Sequence, residues 1–220
     1  MKRTLFLTIL LSLCLQASAA VKVSILGDSY STFSGFIPEG YAVFYPLPGN
    51  DVQSVEQTWW QILISGCGYE LDTNNSYSGS TICNTGYGGA DYSDRAFVSR
   101  LNEIGNPDIL FIFGGTNDAW AGSPLGGYAF SHIVKENLYS FRPAMAYMLS
   151  TLKRLYRDTK IYFILNTELE EGINESVKKI CGRYRVPVIV LHDIDKQMNH
   201  PSQAGMKAIA EQVRLFIENE

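Results

Sequence analysis

Cysteine is scarce in this chain of 220 residues, which contains Cys14, Cys67, Cys83 and Cys181 and no others. Four cysteines are far too few for a fold held together by a disulfide framework. Three of them follow residue 20, so one bridge can form at most, and each fits equally well as a small buried hydrophobe. Stability must therefore come from an apolar core, and this length is sufficient to bury one.

Basic runs are also missing. The chain carries 18 basic and 22 acidic residues, a formal net charge of −4. A mildly acidic chain without a cluster of Lys and Arg argues against nucleic acid or an anionic membrane surface as a partner. Hydrophobic residues make up 46% and charged residues 18%, which is typical of a globular domain. The oligomeric state is left open by these numbers.

The sequence lacks the common motifs for metals and cofactors. It has no HExxH, no CxxC and no cluster of histidines, so we expect no metal site. The glycine-rich stretch from Gly86 to Gly89 matches neither a P-loop nor the dinucleotide fingerprint, and we expect no cofactor. A GxSxG elbow is absent, which disfavours the ordinary α/β-hydrolase arrangement.

Long hydrophobic runs are confined to the start of the chain. Lys2 and Arg3 precede an apolar stretch at 5–15 that is too short to span a bilayer, and Ala17-Ser18-Ala19 supplies a cleavage site. We therefore expect a signal peptide at 1–19, a single domain at 20–220, and a secreted or periplasmic protein without stable membrane insertion. Lipid anchoring at Cys14 is the less favoured alternative, because a lipoprotein signal normally has a small residue where Leu13 stands.

The rest of the chain alternates apolar strands with amphipathic helices. The pattern predicts strands at 21–26, 69–76, 108–113, 160–165 and 186–191, and helices at 55–65, 92–104, 137–157, 171–184 and 202–218. Strands separated by helices indicate βαβ units and a parallel sheet. We expect a flavodoxin-like three-layer α/β/α sandwich with a five-stranded parallel sheet, in which the site lies beyond the carboxyl ends of the strands.

Polar and glycine-rich motifs follow several of these strands. Gly27-Asp28-Ser29 comes directly after the first strand, and Gly79 lies just after the second. Gly115-Thr116-Asn117-Asp118 follows the third strand, and His200-Pro201 comes after the last. Because parallel strands end at the same edge of the sheet, these motifs are predicted to converge there.

In this order the motifs resemble the four blocks of the SGNH (GDSL-like) hydrolases, a family of serine esterases that includes secreted members. The resemblance covers most of the chain after residue 20 and implies the SGNH hydrolase fold. It implies Ser29 as nucleophile, and the backbone N–H groups of Ser29 and Gly79 with the side-chain amide of Asn117 as an oxyanion hole. Tyr30, Asp118 and Trp120 are candidates for substrate binding, although Asp118 and Trp120 fit a structural role equally well.

A serine hydroxyl needs a neighbouring base, and the chain offers three histidines. His200 opens the final helix at the predicted functional edge and is the preferred base. His192 stands near the end of the last strand and is the alternative, whereas His132 lies in a predicted loop. Asp28 is best explained as a cap for the turn that carries Ser29.

The third member of a triad is the uncertain part. The family usually places an aspartate three residues before the histidine, where this chain has Gln197. Asp195 is our choice for the group that orients His200, and Asp193 is a second candidate. A Ser–His dyad oriented by a backbone carbonyl is the remaining option, and it should be slower because no acid stabilises the imidazolium.

These residues predict hydrolysis of a small carboxylic ester through an acyl-enzyme intermediate. The aromatic and polar loops at 33–45 and 87–92, together with the predicted export, suggest an acylated carbohydrate as substrate. Lipase, thioesterase and lysophospholipase activities remain alternatives, since one fold serves many substrates. A catalytically weak carbohydrate-binding protein on the same fold is the rival from another class, because position 197 is not acidic.

Overall fold

The structure is a computed structural model that describes residues 19–220. Apart from Ala19, the expected signal peptide and the alternative lipid anchor at Cys14 lie outside the described residues. In the described part, no helix is long and apolar enough to cross a membrane. The thiols of Cys67, Cys83 and Cys181 are all free, and the last two are buried.

A five-stranded parallel sheet forms the centre of the molecule. Its strands are β1 (Lys22–Gly27), β2 (Glu70–Ser76), β3 (Ile109–Phe113), β4 (Lys160–Leu165) and β5 (Val188–Val190). They lie in the order β2-β1-β3-β4-β5, and every neighbouring pair is parallel. This order is the flavodoxin-like one, so the predicted architecture is confirmed.

Five helices accompany the sheet in the described chain. They are α1 (Trp59–Cys67), α2 (Thr116–Ala121), α3 (Phe141–Leu155), α4 (Glu171–Tyr184) and α5 (Gln203–Glu218). Local caps fix several of their ends. The Thr58 hydroxyl accepts from the Gln61 N–H at the start of α1, and Gly68 ends that helix in the left-handed conformation.

Side-chain alternation along the central strand explains the three layers. In β3, Ile109, Phe111 and Phe113 pack into the core shared with α1 and α5. Leu110 and Ile112 point to the other face, into the core shared with α3 and α4. A strand covered on both faces is continuously apolar, which is why this segment was recognisable in the sequence.

The helix predicted at 92–104 is wrong. The structure has only a single 3₁₀ turn there, Phe97–Ser99. The backbone N–H groups of Phe97 and Val98 donate to the carbonyls of Thr81 and Ile82, at 2.9 and 3.4 Å, instead of to carbonyls four residues earlier. Pairing with the segment after β2 thus replaces helical hydrogen bonds.

Two further differences lie near the functional edge. The helix predicted at 137–157 begins only at Phe141, so Pro143 occupies the first turn of α3, where no helical N–H bond is needed. The short helix α2 and an antiparallel hairpin, β6 (Lys196–Gln197) with β7 (His200–Pro201), were not predicted.

Candidate active site

Ser29 and His200 meet at the carboxyl end of the sheet. Ser29 opens a 3₁₀ turn directly after β1, and Asp28 caps this turn by accepting a hydrogen bond from the Tyr30 N–H at 3.0 Å. The Ser29 Oγ lies 2.9 Å from Nε2 of His200. This is the distance at which a histidine can take the proton of a serine nucleophile.

The other ring nitrogen of His200 faces a backbone carbonyl. Its Nδ1 lies 3.0 Å from the carbonyl oxygen of Met198. Met198 and Asn199 form the two-residue turn between β6 and β7, and both are left-handed, with φ of 53° and 61°. Positive φ at both turn positions matches a type I′ hairpin, which bends the chain tightly enough to bring this carbonyl to the ring.

Asp195, predicted to orient His200, contacts a different residue. Its carboxylate accepts a hydrogen bond from the hydroxyl of Ser202, which in turn caps the start of α5 at the Gly205 N–H. The prediction is corrected by the hairpin geometry, which brings the Met198 carbonyl, and not a carboxylate, to Nδ1.

The side chains of the other residues considered from the sequence form no hydrogen bond with Ser29 or His200. Asp193 is exposed, and its carboxylate pairs with Nδ1 of His192 at 3.1 Å. The side chain of Gln197, at the family's aspartate position, accepts from the Asp51 N–H at 2.8 Å. His132 is exposed in the loop before α3.

Asn117 brings an uncommitted donor into the site. It lies in the first turn of α2 and is only 2% exposed. Its Nδ2 is buried and has no hydrogen-bond partner, while its Oδ1 accepts from the Tyr87 hydroxyl at 2.8 Å. An unpaired buried donor costs about 1–3 kcal/mol, a cost that a bound acceptor would remove. The amide is therefore held with its N–H₂ group free for an incoming oxygen.

Gly79 occupies a tight turn just after β2. The Ser80 N–H donates to the Tyr77 carbonyl at 3.1 Å, and Gly79 has φ of +80°. Nothing lies within 4 Å of a Cβ built at this position. The glycine is thus needed for its left-handed backbone and not because a neighbouring atom leaves no room for a side chain.

A buried arginine joins this turn to the sheet. The guanidinium of Arg100 donates to the backbone carbonyls of Gly27 and Asn75, at 3.3 and 2.7 Å. It also donates to Oγ of Ser80 at 3.1 Å. One planar group therefore connects the ends of β1 and β2 to the residue that follows Gly79.

Tyr30 and Asp118 are not placed to touch a substrate. Tyr30 is fully buried, and its hydroxyl donates to the Asn199 carbonyl at 2.7 Å, which supports the hairpin below His200. Asp118 is 1% exposed and accepts from the N–H groups of Ile82 and Cys83, at 2.7 and 3.2 Å. Both predictions of substrate binding are corrected, because these side chains hold neighbouring segments in place.

Trp120 is a partly exposed ring beside His200. It is 44% exposed, and its ring centroid lies 5.9 Å from that of His200. It lines a pocket of about 350 Å³ whose other walls are polar; these are Asn166, Thr167, Glu168, Lys196 and Asn199. The Lys196 ammonium is fixed there by Thr167 Oγ1 at 2.8 Å and by Glu168 at 2.9 Å.

Phe44 is a neighbour of His200 that the sequence did not identify. Its ring lies face to face with the imidazole, with centroids 3.5 Å apart and an angle of 10° between the planes. It comes from the long loop after Ser31, which the sequence marked as functional only in general terms.

Burial governs the titratable groups of the site. It lowers the pKa of His200, and the nearby Lys196 charge acts in the same direction, against the hydrogen bond to the Met198 carbonyl. Burial raises the pKa of Asp28 to about 7 and that of Asp118 to about 6. His200 is thus held as a neutral base at neutral pH. In residues 19–220, no three His, Cys, Asp or Glu side chains are grouped so as to hold a metal ion.

Comparisons with known proteins identify the family of this chain. The family model for GDSL-like lipase/acylhydrolase matches residues 21–217. A GDSL-like lipase from Bacteroides ovatus ATCC 8483 is 52% identical, with a TM-score of 0.91, over 92% of this chain and 100% of its own. One from Bacteroides uniformis ATCC 8492 is 50% identical, with a TM-score of 0.90, over 91% and 97%. No curated protein sequence matches the chain.

A more distant structure shares the fold. A family two carbohydrate esterase from Clostridium thermocellum, in complex with cellohexaose, is 20% identical, with a TM-score of 0.60, over 93% of this chain and 66% of its own. The family model covers nearly all of residues 19–220, and the two Bacteroides structures match at half of all positions. The chain therefore belongs to the GDSL-like lipase/acylhydrolase family and is a carboxylic ester hydrolase.

Proposed function

We propose that this protein removes short acyl groups from an acylated carbohydrate, through an acyl-enzyme on Ser29. The observation that carries the proposal is the 2.9 Å contact between Ser29 Oγ and His200 Nε2. The free Nδ2 of Asn117 and the polar pocket beside Trp120 supply the other two requirements, an oxyanion donor and room for a polar alcohol.

In the first half of the proposed reaction, His200 Nε2 takes the Ser29 proton while Oγ attacks the ester carbonyl carbon. The carbonyl π electrons move to oxygen, and Asn117 Nδ2 with the N–H groups of Ser29 and Gly79 stabilise this oxyanion. When the carbonyl re-forms, the bond to the alcohol oxygen breaks. The His200 proton passes to that oxygen, and the alcohol leaves.

Water completes the proposed cycle. His200 takes one proton from the water, whose oxygen attacks the acyl carbon and forms a second oxyanion. This intermediate collapses by breaking its bond to Ser29 Oγ, and His200 returns the proton to that oxygen. The products are a carboxylic acid and the free enzyme, with every proton accounted for.

The proposed catalytic unit is a dyad. A backbone carbonyl at Nδ1 keeps the proton on that nitrogen, so Nε2 is the free base that faces Ser29. It supplies only a partial charge to the imidazolium, and we therefore expect turnover below that of an enzyme with a carboxylate at this position.

The side chains that line the pocket beside Trp120 favour a polyhydroxylated alcohol. An exposed indole provides an apolar surface, and the amide, hydroxyl and charged groups around it provide donors and acceptors. The distant carbohydrate esterase with cellohexaose adds fold-level support for the same substrate class. We further propose that the protein is exported, on the signal-peptide pattern at 1–19.

Ester hydrolysis tests the proposal directly. We expect the wild type to release acetate from acetylated xylo- or cello-oligosaccharides and to cleave 4-nitrophenyl acetate faster than the octanoate. Ser29→Ala should lose at least about a thousandfold in kcat, since the nucleophile is removed. Ser34→Ala, which alters an exposed serine of the same loop, is the matched control and should remain fully active.

Three outcomes would contradict parts of this proposal. Equally slow ester cleavage by the wild type and Ser29→Ala would contradict the esterase mechanism. If the wild type then bound the oligosaccharides, the carbohydrate-binding rival would be favoured. A preference for octanoate over acetate would leave the mechanism intact and would identify a lipase.

A further inference from the structure

His200 lacks the carboxylate that would stabilise its charged form. Its two hydrogen-bond partners in the described chain are Ser29 Oγ and the carbonyl of Met198, neither of which carries a full negative charge. Yet each half of the proposed reaction makes this ring an imidazolium. A further group that lowers the free energy of that cation would speed the turnover of the dyad.

The Phe44 ring is held against the imidazole face. The centroids are 3.5 Å apart and the planes differ by only 10°. Phe44 is held in place because its N–H donates to the Thr32 hydroxyl at 2.9 Å and its ring packs roughly at right angles to that of Tyr45, with centroids 4.8 Å apart. Tyr45 is itself anchored to the Pro201 carbonyl at 2.8 Å. The stack is therefore part of the folded core around the hairpin.

Three more aromatic rings surround His200 at larger angles. Tyr30 is tilted at 5.2 Å, while Tyr45 and Trp120 are edge-on at 6.4 and 5.9 Å. Of these neighbours, Phe44 alone lies parallel to the imidazole with its π face toward it. The charge nearby is unfavourable: the ammonium of Lys196 opposes protonation of His200.

We propose that the face of Phe44 stabilises the His200 imidazolium and takes over part of the role of the missing aspartate. The negative face of a benzene ring attracts a cation within about 6 Å, most strongly where water is excluded. His200 is only 9% exposed, so its surroundings meet that condition. Phe44 is thus a positioning and electrostatic partner of the base, and the inference rests on the proposed function.

Graded fluorination of this one ring tests the idea without removing its volume. Phenylalanine, 4-fluoro-, 3,5-difluoro- and pentafluorophenylalanine are inserted in turn at position 44 of the full chain. Each fluorine weakens the negative potential of the face. We expect kcat for 4-nitrophenyl acetate to fall stepwise, by about tenfold over the series.

The same series at Phe36 is the matched control. Phe36 is an exposed ring of the same loop, which packs on Phe33 and Trp60 and makes no ring contact with His200. We expect a flat profile there. A second measurement, the pKa of His200 by NMR, should fall stepwise with fluorination at position 44, because the cation loses stabilisation while burial is unchanged.

The outcomes separate this proposal from the esterase mechanism. Flat rates and an unchanged His200 pKa across the Phe44 series would overturn it, even in an active enzyme. An equal trend at Phe36 would overturn it as well, since the effect would then be unspecific. If the wild type cleaved no ester, the mechanism would fail, but a falling His200 pKa would still establish cation stabilisation by Phe44.

Discussion

The carbonyl oxygen of Met198 lies 3.0 Å from Nδ1 of His200, where an aspartate carboxylate was expected from the sequence. The two residues are separated by Asn199 alone, so the orienting group and the base belong to one hairpin turn. Because the contact uses the main chain, it depends on the turn conformation and not on the side chain at position 198.

Asp195→Asn should leave catalysis almost unchanged. We expect kcat for 4-nitrophenyl acetate within about twofold of wild type, because the Asp195 carboxylate bonds to Ser202 and not to His200. The weaker bond to the cap of α5 should cost about 1 kcal/mol, or a decrease of about 2–4 °C in Tm. A tenfold loss of kcat at unchanged Tm would instead indicate that Asp195 orients His200.

Tyr87→Phe should slow the reaction through Asn117. Loss of the hydroxyl frees the amide to rotate, and we expect kcat to fall about tenfold with little change in KM. Asn117→Ala should lose about 100- to 1000-fold, and adding Tyr87→Phe to it should cost nothing more. Tyr156→Phe, which removes a comparable bond to the Leu101 carbonyl, is the control. If the two losses in kcat multiplied in the double variant, Tyr87 would not act through Asn117.

Trp120→Ala should impair carbohydrate substrates selectively. Removing the indole from the pocket should raise KM for acetylated oligosaccharides about tenfold, since an aromatic contact contributes about 1 kcal/mol. The kcat/KM for 4-nitrophenyl acetate should stay within about threefold. Phe130→Ala, at an exposed aromatic outside this pocket, should affect neither substrate. Equal losses on both substrates would argue against a sugar site at Trp120.

The pH profile should show an acid limb below the ordinary histidine pKa of 6.5. His200 must be neutral to accept the Ser29 proton, and burial lowers its pKa, so kcat/KM should fall only as the pH drops through that lowered value. Lys196→Gln removes a nearby positive charge and should move the limb to higher pH. His192→Gln, at an exposed histidine, should leave it in place. An acid limb above pH 6.5 in the wild type would contradict a His200 whose pKa is lowered by burial.

Gly205→Ala should destabilise the site region. A Cβ at this position would stand 2.1 Å from the backbone oxygen of Asp195, so the hairpin or α5 must shift. We expect a loss of about 1–3 kcal/mol in the free energy of unfolding. Gly182→Ala, at an exposed position of α4 with nothing within 4 Å of the added Cβ, should gain up to about 1 kcal/mol. Thermal melts check both, and a stable Gly205→Ala would mean that the hairpin yields easily.

Most of the fold was predictable because the strands are buried on both faces. The limits predicted for β4 and α4 match the structure, and Ser29 and His200 meet as their positions after the strands implied. Here a local pattern and the sheet topology determine the position together. The segment at 92–104 failed because its backbone pairs with a distant stretch of chain, which periodicity cannot reveal.

The contacts that support the site were much harder to predict from the sequence. A backbone carbonyl as orienting group leaves no residue-type signal, so the absence of an acid at Gln197 was the single hint of the Met198 contact. Phe44 and Tyr87 reach the site from long loops, whose course depends on tertiary contacts. Tyr30 and Asp118 were misjudged because polar side chains beside a nucleophile look alike in sequence whether they face inward or outward.

The hydrogen bonds of Arg100 have a consequence for how the site comes apart. One guanidinium links the strand ends before Ser29 and Gly79, so these two backbone donors cannot separate while it stays in place. Local opening of this edge should then be cooperative. Amide hydrogen exchange should therefore show the same degree of protection in both segments. On warming, each molecule would keep both backbone donors of the proposed oxyanion hole or lose both. Activity would then decline because fewer molecules are intact, and not because every molecule becomes slower.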